Sequence, residues 1–473
     1  MDSYEKFKQH CREAADAFRH ISRNQAIKII SHLDSDGICA ASILIRALTR
    51  DNRRYSISIV QQVDLATLEQ IALENEPVVM FTDIGSGQYS IVHEKLHNKQ
   101  VFILDHHLID PEMERSDKII QVNPNLFGIN GSEEISGAGV TYLFASFLDS
   151  RNVDMAHIAI VGAIGDVQEK NGFGRLNSEI LDLAVKCGKM TIKKGLKIYG
   201  SNSKPLHKLL EQSKEHRIPG VSGSESSAVQ LLHQLGINPK KGNVWKRLPD
   251  LTDEEMRRLI TEILMRRLTE KLPEAIVGLN YQLADESKDS PLRDAQEFST
   301  LLNACGRLGK ASLGIGVCLN DHKIKEKAIQ SLAVYKRQLM KVLDWYNHAD
   351  GESVIKEPGF LIINAQQNVM PTMIGTLASI LSKSNDIADG TFIMGLAQNG
   401  EGTTKVSLRI SGSHEEDVDL MQIATEIASS VDGTAGGHKY AAGAVISSTK
   451  EEEFIEKARK VLKRQASSIK QKA

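Results

Sequence analysis

The first 190 residues alternate short β-branched apolar runs with stretches, such as ICAASILIRALTR and ATLEQIALEN, whose apolar residues recur at helical spacing. This alternation is typical of a parallel sheet with helices on both faces. We therefore predict an α/β fold, with a doubly wound parallel sheet in residues 1–190. The predicted strands are residues 26–32 (AIKIISH), 78–82 (VVMFT), 100–105 (QVFILD) and 158–164 (IAIVGAI).

The pattern changes twice beyond residue 190. Residues 191–300 contain amphipathic patterns such as SAVQLLHQLG and LTDEEMRRLITEILMRRLTEKL, which predict a helical insert. Residues 301–350 are expected to form linker helices, including a long one at 323–347. Strand-like and helix-like runs alternate again in residues 351–473, with strand candidates GFLIINA, TFIMGLAQ, KVSLRIS and GAVISS. This last region is predicted to be a second, smaller α/β domain.

The charge of the chain is nearly balanced, with a net charge of −2 and a pI near 6.7. A protein that coats DNA through its phosphates would show a basic excess, so the balance argues against that class. A local basic groove remains compatible with a balanced total charge. Arginines 257, 258, 266 and 267 give the insert a basic face, which fits either a solvated helix surface or a contact with nucleic acid or a partner.

The cysteine content and the hydropathy pattern further limit the class of protein. Five cysteines without a CxxC pair predict reduced, buried thiols rather than a disulfide framework or a zinc ribbon. No run approaches the roughly 20 apolar residues that span a membrane. The first twenty residues mix both charge signs, unlike a signal peptide. We expect a cytoplasmic protein with no membrane partner.

Each predicted strand ends in a polar cluster, and the first cluster contains His32, Asp34 and Asp36 in HLDSDG. Alternate residues of an extended chain point to the same side, so these three side chains could converge. Buried carboxylates repel one another unless a cation neutralises them. A single aspartate in such a place could equally cap a helix.

The other strand ends carry Asp83 in DIGSG, Asp105-His106-His107, and Asp166 in GD. In open α/β sheets the carboxyl ends of the strands form the ligand-binding edge, so the four clusters should meet there. Carboxylates and imidazoles without thiolates favour Mn²⁺, with Mg²⁺ or Zn²⁺ as less favoured candidates. The donors suffice for two ions, which is typical of enzymes that hydrolyse phosphate esters.

The segments HLDSDG, TDIGSG, LDHH and AIGD, in this order, resemble the four motifs of the DHH phosphoesterases, and SGAGVTY (136–142) also resembles that family. GTAGGHKYAAG (433–443) resembles the glycine-rich element of the DHH-associated C-terminal domain. In that family, this element binds the nucleotide phosphate or the scissile end. The resemblance implies a site for two ions that are bridged by Asp83. The implied ligands are His32, Asp34, Asp36, Asp83, His106 and Asp166.

The resemblance also implies roles for other residues. Asp83, His106 and His107 would act in catalysis, with His107 orienting a ligand or touching the substrate. His32 occupies the place of a further aspartate in bacterial RecJ. The groups that would bind substrate phosphate are Arg409 in VSLRISGS, Gly436, Gly437 and His438.

The insert and the segment EFSTLLNACGRLG (297–309) resemble archaeal RecJ-like nucleases, including those that associate with the GINS replication complex. Those proteins are also similar to a eukaryotic replicative helicase subunit that has lost catalysis. The resemblance implies a two-metal exonuclease of DNA repair and replication, acting on single-stranded DNA, 5′→3′, with single-stranded RNA as a second substrate. The alternatives are an oligoribonuclease or 3′→5′ RNA exonuclease, and a scaffold subunit bound to GINS.

Overall fold

The computed structural model of the chain describes residues 2–112, 114, 116–213, 216–270, 272–384, 386–400, 402–412 and 418–472. For His438 and residues 470–472 it describes the backbone alone. Across these residues, no helix combines the length and the apolar character needed to cross a membrane.

The N-terminal sheet has five parallel strands in the order β2-β1-β3-β4-β5. The chain moves outward in opposite directions from β1, which places a topological switch point between β1 and β3. The prediction of a parallel α/β sheet is confirmed, although β2 and β5 were not predicted as strands. The strands are β1 (Ile27–His32), β2 (Tyr55–Val60), β3 (Val78–Thr82), β4 (Gln100–Leu104) and β5 (Ile119–Val122).

Helices cover both faces of this sheet because the strands place apolar side chains on both faces. Met80 and Phe102 lie in the larger core with α1, α2 and α6, whereas Phe81 and Ile103 lie in a smaller core with α3 and α4. The helices are α1 (Ser3–Arg19), α2 (Ser35–Arg50), α3 (Leu65–Leu73), α4 (Tyr89–Lys95), α5 (Gly131–Glu134), α6 (Gly137–Leu148), α7 (Ala156–Gly165) and α8 (Arg175–Lys186).

The predicted strand at residues 158–164 is wrong, because this run forms α7. Nearly every residue of α7 is buried, since the helix packs among α2, α6 and α8. A helix that is apolar on all sides has no amphipathic period, so a short run of it looks like a buried strand. Asp166 is therefore the C-cap of a helix and not the end of a strand.

The middle of the chain is mostly helical, but it also contains an antiparallel ribbon of β6 and β9 that was not predicted. The expected basic face needs a correction, because Arg267 is buried and donates to backbone carbonyls. The elements are β6 (Met190–Leu196), α9 (Leu206–Glu211), α10 (Glu225–Gln234), β7 (Lys240–Lys241), β8 (Val244–Trp245), α11 (Asp253–Arg266), β9 (Val277–Leu283), α12 (Ala295–Arg307), α13 (Ala311–Cys318) and α14 (His322–His348).

The C-terminal domain is a six-stranded mixed sheet in the order β10-β11-β12-β13-β15-β14. Helices α16 and α17 pack on one face, while α14 and α15 pack on the other. The elements are β10 (Val354–Glu357), β11 (Phe360–Asn364), α15 (Pro371–Ser382), β12 (Phe392–Gln398), β13 (Thr403–Ile410), α16 (Leu420–Ser429), β14 (Thr434–His438), β15 (Ala441–Ser447) and α17 (Glu451–Lys472).

Candidate metal centre

The segment after β1 turns directly into a helix. His32 ends the strand, Asp34 caps α2 by accepting from the Gly37 N–H at 3.0 Å, and Asp36 lies in the first helical turn. The alternation along an extended chain that we expected is therefore wrong for this segment. Nδ1 of His32 nevertheless lies 3.0 Å from Oδ2 of Asp34, and Asp36 reaches the same edge of the sheet.

Asp83 follows β3 with a φ of 59°, a left-handed backbone that aspartate adopts more readily than most residues. Its side chain is 1% exposed, and neither carboxylate oxygen has a hydrogen-bond partner among the described residues. The first residue of α6 packs against it, because a Cβ on Gly137 would lie 2.4 Å from Oδ1 of Asp83. Glycine at 137 therefore leaves room for this carboxylate.

The three residues after β4 hold one another in place. The carboxylate of Asp105 accepts from Nδ1 of His107 at 2.7 Å and from the backbone N–H groups of His106 and Ser86. Nδ1 of His106 lies 2.9 Å from the carbonyl oxygen of Gly131, which can only accept, so Nδ1 carries the proton. In the neutral imidazole, which a metal ligand must be, Nε2 of His106 is then the nitrogen free to bind a cation.

Asp36 and Asp166 are each held by a second element. The N–H groups of Gly137 and Ala138, at the start of α6, donate to the two oxygens of Asp36 at 2.7 and 3.0 Å. Nε2 of Gln168 donates to Oδ2 of Asp166 at 2.8 Å. The orientation of both carboxylates is therefore fixed by the surrounding structure.

The candidate ligands form three overlapping groups, two of which contain Asp83. In each group the donor atoms lie within 4.8 Å of one another. The first contains His32, Asp34 and Asp83, the second contains Asp36, His106 and Asp166, and the third, with Asp83, Asp105, His106 and His107, overlaps both. The structure thus brings together all six residues of the expected ligand set, with His107 beside them at 3.9 Å from Oδ1 of Asp83.

The electrostatics of the cluster show an excess of buried negative charge. Burial, and then the charge of Asp83, raise the pKa of Asp36 well above its ordinary value. Burial also raises the pKa of Asp166 to about 6. Burial opposes the charged form of His32, but the Asp34 carboxylate outweighs it and raises the pKa of His32 to about 10.

These residues fit divalent cations. Carboxylates that repel one another in a buried site are stabilised by an added positive charge, and the Asp83 oxygens, without hydrogen-bond partners in the described chain, are suited to accept it. Oxygen and imidazole donors without a thiolate match Mn²⁺ or Mg²⁺ better than a structural zinc site.

A cationic face of the C-terminal domain contacts the N-terminal domain at the carboxyl end of β2. Lys405 and Arg409 are four residues apart on β13, so they lie on the same side of the strand. Nζ of Lys405 lies 3.4 Å from Oε1 of Gln62, just beyond β2. Burial, and then the nearby Arg409, lower the pKa of Lys405 to about 8. Burial, and then Arg307, lower the pKa of Arg409 to about 10. None of the three cations has an acidic partner within the part of the chain that is described.

The expected phosphate-binding residues lie near one another on this face. Arg409 donates from Nε to Oγ of Ser379 at 3.1 Å and from Nη1 to the carbonyls of Leu408 and Ala442, which leaves Nη2 without an acceptor among the described residues. Gly436 and Gly437 pair with β15 beside it. His438 ends β14, but its side chain lies outside the described part of the chain.

Helix α12 joins the two domains at the cluster. Oδ1 of Asn303 accepts from the Ser35 N–H at 3.1 Å, and a Cβ on Gly306 would overlap the carbonyl oxygen of Leu33. The last residue of the helix, Arg307, donates from Nη1 to the Tyr335 hydroxyl at 2.9 Å. One helix therefore contacts the loop that carries Asp34 and presents Arg307 near Arg409.

Several residues that shape this site were not among the ligands and phosphate-binding groups expected from the sequence. Asp105 stands in the DHH signature, but it positions the histidines and lies outside the expected ligand set. Arg307 lies in the RecJ-like segment 297–309, and Lys405 lies on the same side of β13 as Arg409, so the sequence carried a signal for both. Gln168 carries no such signal, because its role depends on a contact with Asp166.

Comparison with known proteins identifies the parts of the chain. Residues 26–165 match the N-terminal domain of the DHH family, residues 198–278 match the DHH-CID domain, and residues 358–464 match the DHHA1 domain. The uncharacterized protein MJ0831 of Methanocaldococcus jannaschii is 31% identical over 442 residues, which cover 92% of this chain and 93% of that protein.

Solved structures share the fold at low sequence identity. RecJ of Thermus thermophilus, in complex with Mn²⁺, aligns with a TM-score of 0.58 and 18% identity over 96% of this chain and 55% of that chain, so this chain spans about half its length. CDC45 of Entamoeba histolytica aligns with a TM-score of 0.60 and 13% identity over 98% of this chain and 99% of that chain. The chain belongs to the DHH family, and it carries DHH, DHH-CID and DHHA1 domains in a RecJ-like fold.

Proposed function

We propose that the chain is a phosphodiesterase that uses two divalent cations to remove nucleotides from one end of single-stranded nucleic acid. The observation that carries the proposal is the set of overlapping ligand groups that share Asp83 and His106, combined with the cations Arg307, Lys405 and Arg409, which have no acidic partner among the described residues. A phosphodiester between them would face positive charge on both sides.

His32, Asp34 and Asp83 would hold one cation, and Asp36, His106 and Asp166 the other, with Asp83 contributing to both. We propose Mn²⁺ as the ion, with Mg²⁺ as the second candidate. Such cations lower the pKa of an attacking water and stabilise the charge on the leaving oxygen. His107, oriented by Asp105, would donate a hydrogen bond to the phosphate. Asp83, His106 and His107 are the residues proposed to act at the reacting phosphate.

The C-terminal domain would bind the substrate beside the cut bond. Nη2 of Arg409 can donate to a phosphate oxygen, and a guanidinium matches that geometry well. Gly436 has open space above its Cα, so a ligand could approach its backbone closely. We propose that Arg409, Gly436, Gly437 and His438 bind the terminal nucleotide.

Single-stranded DNA degraded 5′→3′ in DNA repair or replication is the favoured substrate, because the segment 297–309 resembles RecJ-like nucleases. RNA degraded 3′→5′, and short oligoribonucleotides, are the alternatives. The test is digestion of matched DNA and RNA strands, labelled at either end, with Mn²⁺, Mg²⁺ or EDTA. Release of mononucleotides from one end, only with metal, supports the proposal. No metal-dependent cleavage of any strand would contradict it.

A second candidate is a scaffold that binds the GINS complex, and exposed apolar residues on the insert favour it. Met265, Leu268 and Leu272 are 59%, 63% and 61% exposed around the end of α11. Single exposed apolar side chains are ordinary, but a group of them is typical of protein interfaces. Retention of GINS by an Asp36→Ala variant, and its loss from a Leu268→Glu, Leu272→Glu variant, would support the scaffold. If GINS bound neither of these two variants, the scaffold would be excluded.

A further inference from the structure

Two lysines and a tyrosine lie together where the insert meets the helices α12 and α14. The ammonium groups of Lys204 and Lys336 lie 5.4 and 6.0 Å from the centroid of the Tyr199 ring. Gly200, at a φ of 91°, lets the side chain of Lys204 lie across the loop, because a Cβ there would be 2.7 Å from Cδ of the lysine. The loop geometry therefore keeps Lys204 beside the ring.

The two ammonium groups have no carboxylate paired with them among the described residues. Neither forms an ion pair with any residue that the structure describes. The acidic side chain that faces them, Glu297, is 3% exposed and accepts from the Asn202 N–H at 3.2 Å and from the hydroxyl of Ser203. Burial, and then the charge of Lys336, lower the pKa of Lys204. Like charges held close together are destabilising, so the arrangement favours an anionic ligand.

This cluster lies beside α12, the helix that leads to the candidate metal centre. The hydroxyl of Tyr199 faces Glu297 and Thr300 on α12, and Tyr335, which binds Arg307, directly precedes Lys336 on α14. Thr300 and Arg307 are seven residues apart, which is about 10 Å along a helix. A stacked strand rises about 3.4 Å per nucleotide, so roughly three nucleotides would separate the two positions.

We propose that Tyr199, Lys204 and Lys336 form a second binding position for the sugar–phosphate backbone of a single strand, a few nucleotides from the bond that is cut. This inference rests on the proposed function and deepens it, because it explains how a longer strand would be held. Lysines bind phosphates as point charges, and the ring keeps the two ammonium groups side by side. A substrate too short to reach the position would gain nothing from it.

The test compares a strand of about twelve nucleotides with a small chromogenic phosphodiester, in the wild type and in a Lys204→Gln, Lys336→Gln variant. We expect kcat/KM for the strand to fall about tenfold and that for the small diester to stay unchanged. The slope of log kcat/KM against log salt should also become shallower, by about 0.7 for each lost phosphate contact. Lys341→Gln, on the exposed side of α14, is the matched control.

Equal losses on both substrates, or no loss on either, would overturn the inference. The binding of a fluorescent strand of the same length, measured in EDTA, tests it separately from catalysis. Weaker binding by the double variant, with the Lys341→Gln control at wild-type affinity, would support the binding position even if the wild type cleaved nothing. Unchanged binding would contradict it. Absence of cleavage by the wild type would instead contradict the proposed function.

Discussion

Oδ1 of Asp83 lies 3.4 Å from Nε2 of His106, while Oδ2 of the same carboxylate lies 3.6 Å from Nδ1 of His32. One side chain at the end of β3 therefore contacts the imidazoles that follow β4 and end β1. These strands flank β3 on either side in the sheet. The two ligand groups are thus joined through a single carboxylate, whose loss should affect both.

Replacing Asp83 with asparagine should reduce hydrolysis by at least about a thousandfold, because the remaining amide is neutral and ligates cations poorly. The metal-free variant should keep its fold, since asparagine fills the same volume as aspartate and creates no cavity. Rates on a single strand and thermal melts test both expectations. Asp182→Asn, an exposed change on α8, is the control. A rate near that of the wild type in saturating Mn²⁺ would refute the bridging role.

Replacing Gly137 with alanine should weaken the cluster without harming the helix. The new Cβ would lie 2.4 Å from Oδ1 and 2.8 Å from Cα of Asp83, so Asp83 must move with its backbone. Alanine is the better helix former, so loss of α6 is not expected. We predict that the affinity for Mn²⁺ falls at least about tenfold, as measured by titration calorimetry. Gly351→Ala, which meets no atom within 4 Å, should leave the affinity unchanged; an unaltered affinity in Gly137→Ala would show that Asp83 is not constrained there.

Replacing Asp105 with asparagine tests a positioning residue. Both oxygens of Asp105 accept hydrogen bonds, so an amide nitrogen in place of one oxygen would face another donor. We expect the affinity for Mn²⁺ to fall about 10- to 100-fold, and the unfolding free energy by about 1–3 kcal/mol. Asp149→Asn, which disturbs a surface turn, should lower stability without changing metal affinity. Equal metal affinities in the two variants would reduce Asp105 to a structural role.

Replacing Arg409 with alanine should raise the KM for a single strand more than it lowers kcat. The arginine is proposed to hold the terminal phosphate in the ground state, and uniform binding of this kind appears in KM. Steady-state kinetics separate the two constants, with Arg464→Ala, exposed on α17, as the control. A change confined to kcat would instead place Arg409 at the transition state.

The fold was predictable where a strand is a short run rich in β-branched residues, as in β1, β3 and β4. The same signal failed for α7, because a helix buried on all sides shows no period of 3.6 residues. It also failed for β6, where the exposed side chains of Lys193 and Lys194 hide the strand pattern.

The candidate site was predictable as far as strand ends determine it. His32, Asp83 and His106 lie at the carboxyl edge because their strands are parallel neighbours. Asp166 reaches the cluster from a helix, so its place followed from the motif and not from the expected strand. The groups that orient these residues, such as the N–H of Gly137 on Asp36, come from distant segments and leave no local pattern.

The most direct test of the central claim is the number of Mn²⁺ ions that the purified chain binds, measured by titration calorimetry after treatment with EDTA and its removal. Two ligand groups joined at Asp83 predict two ions per chain in the wild type, and weakened binding of both in Asp83→Asn. Binding of no ion by the wild type, or two ions with unchanged affinity in the variant, would contradict a metal centre built around Asp83.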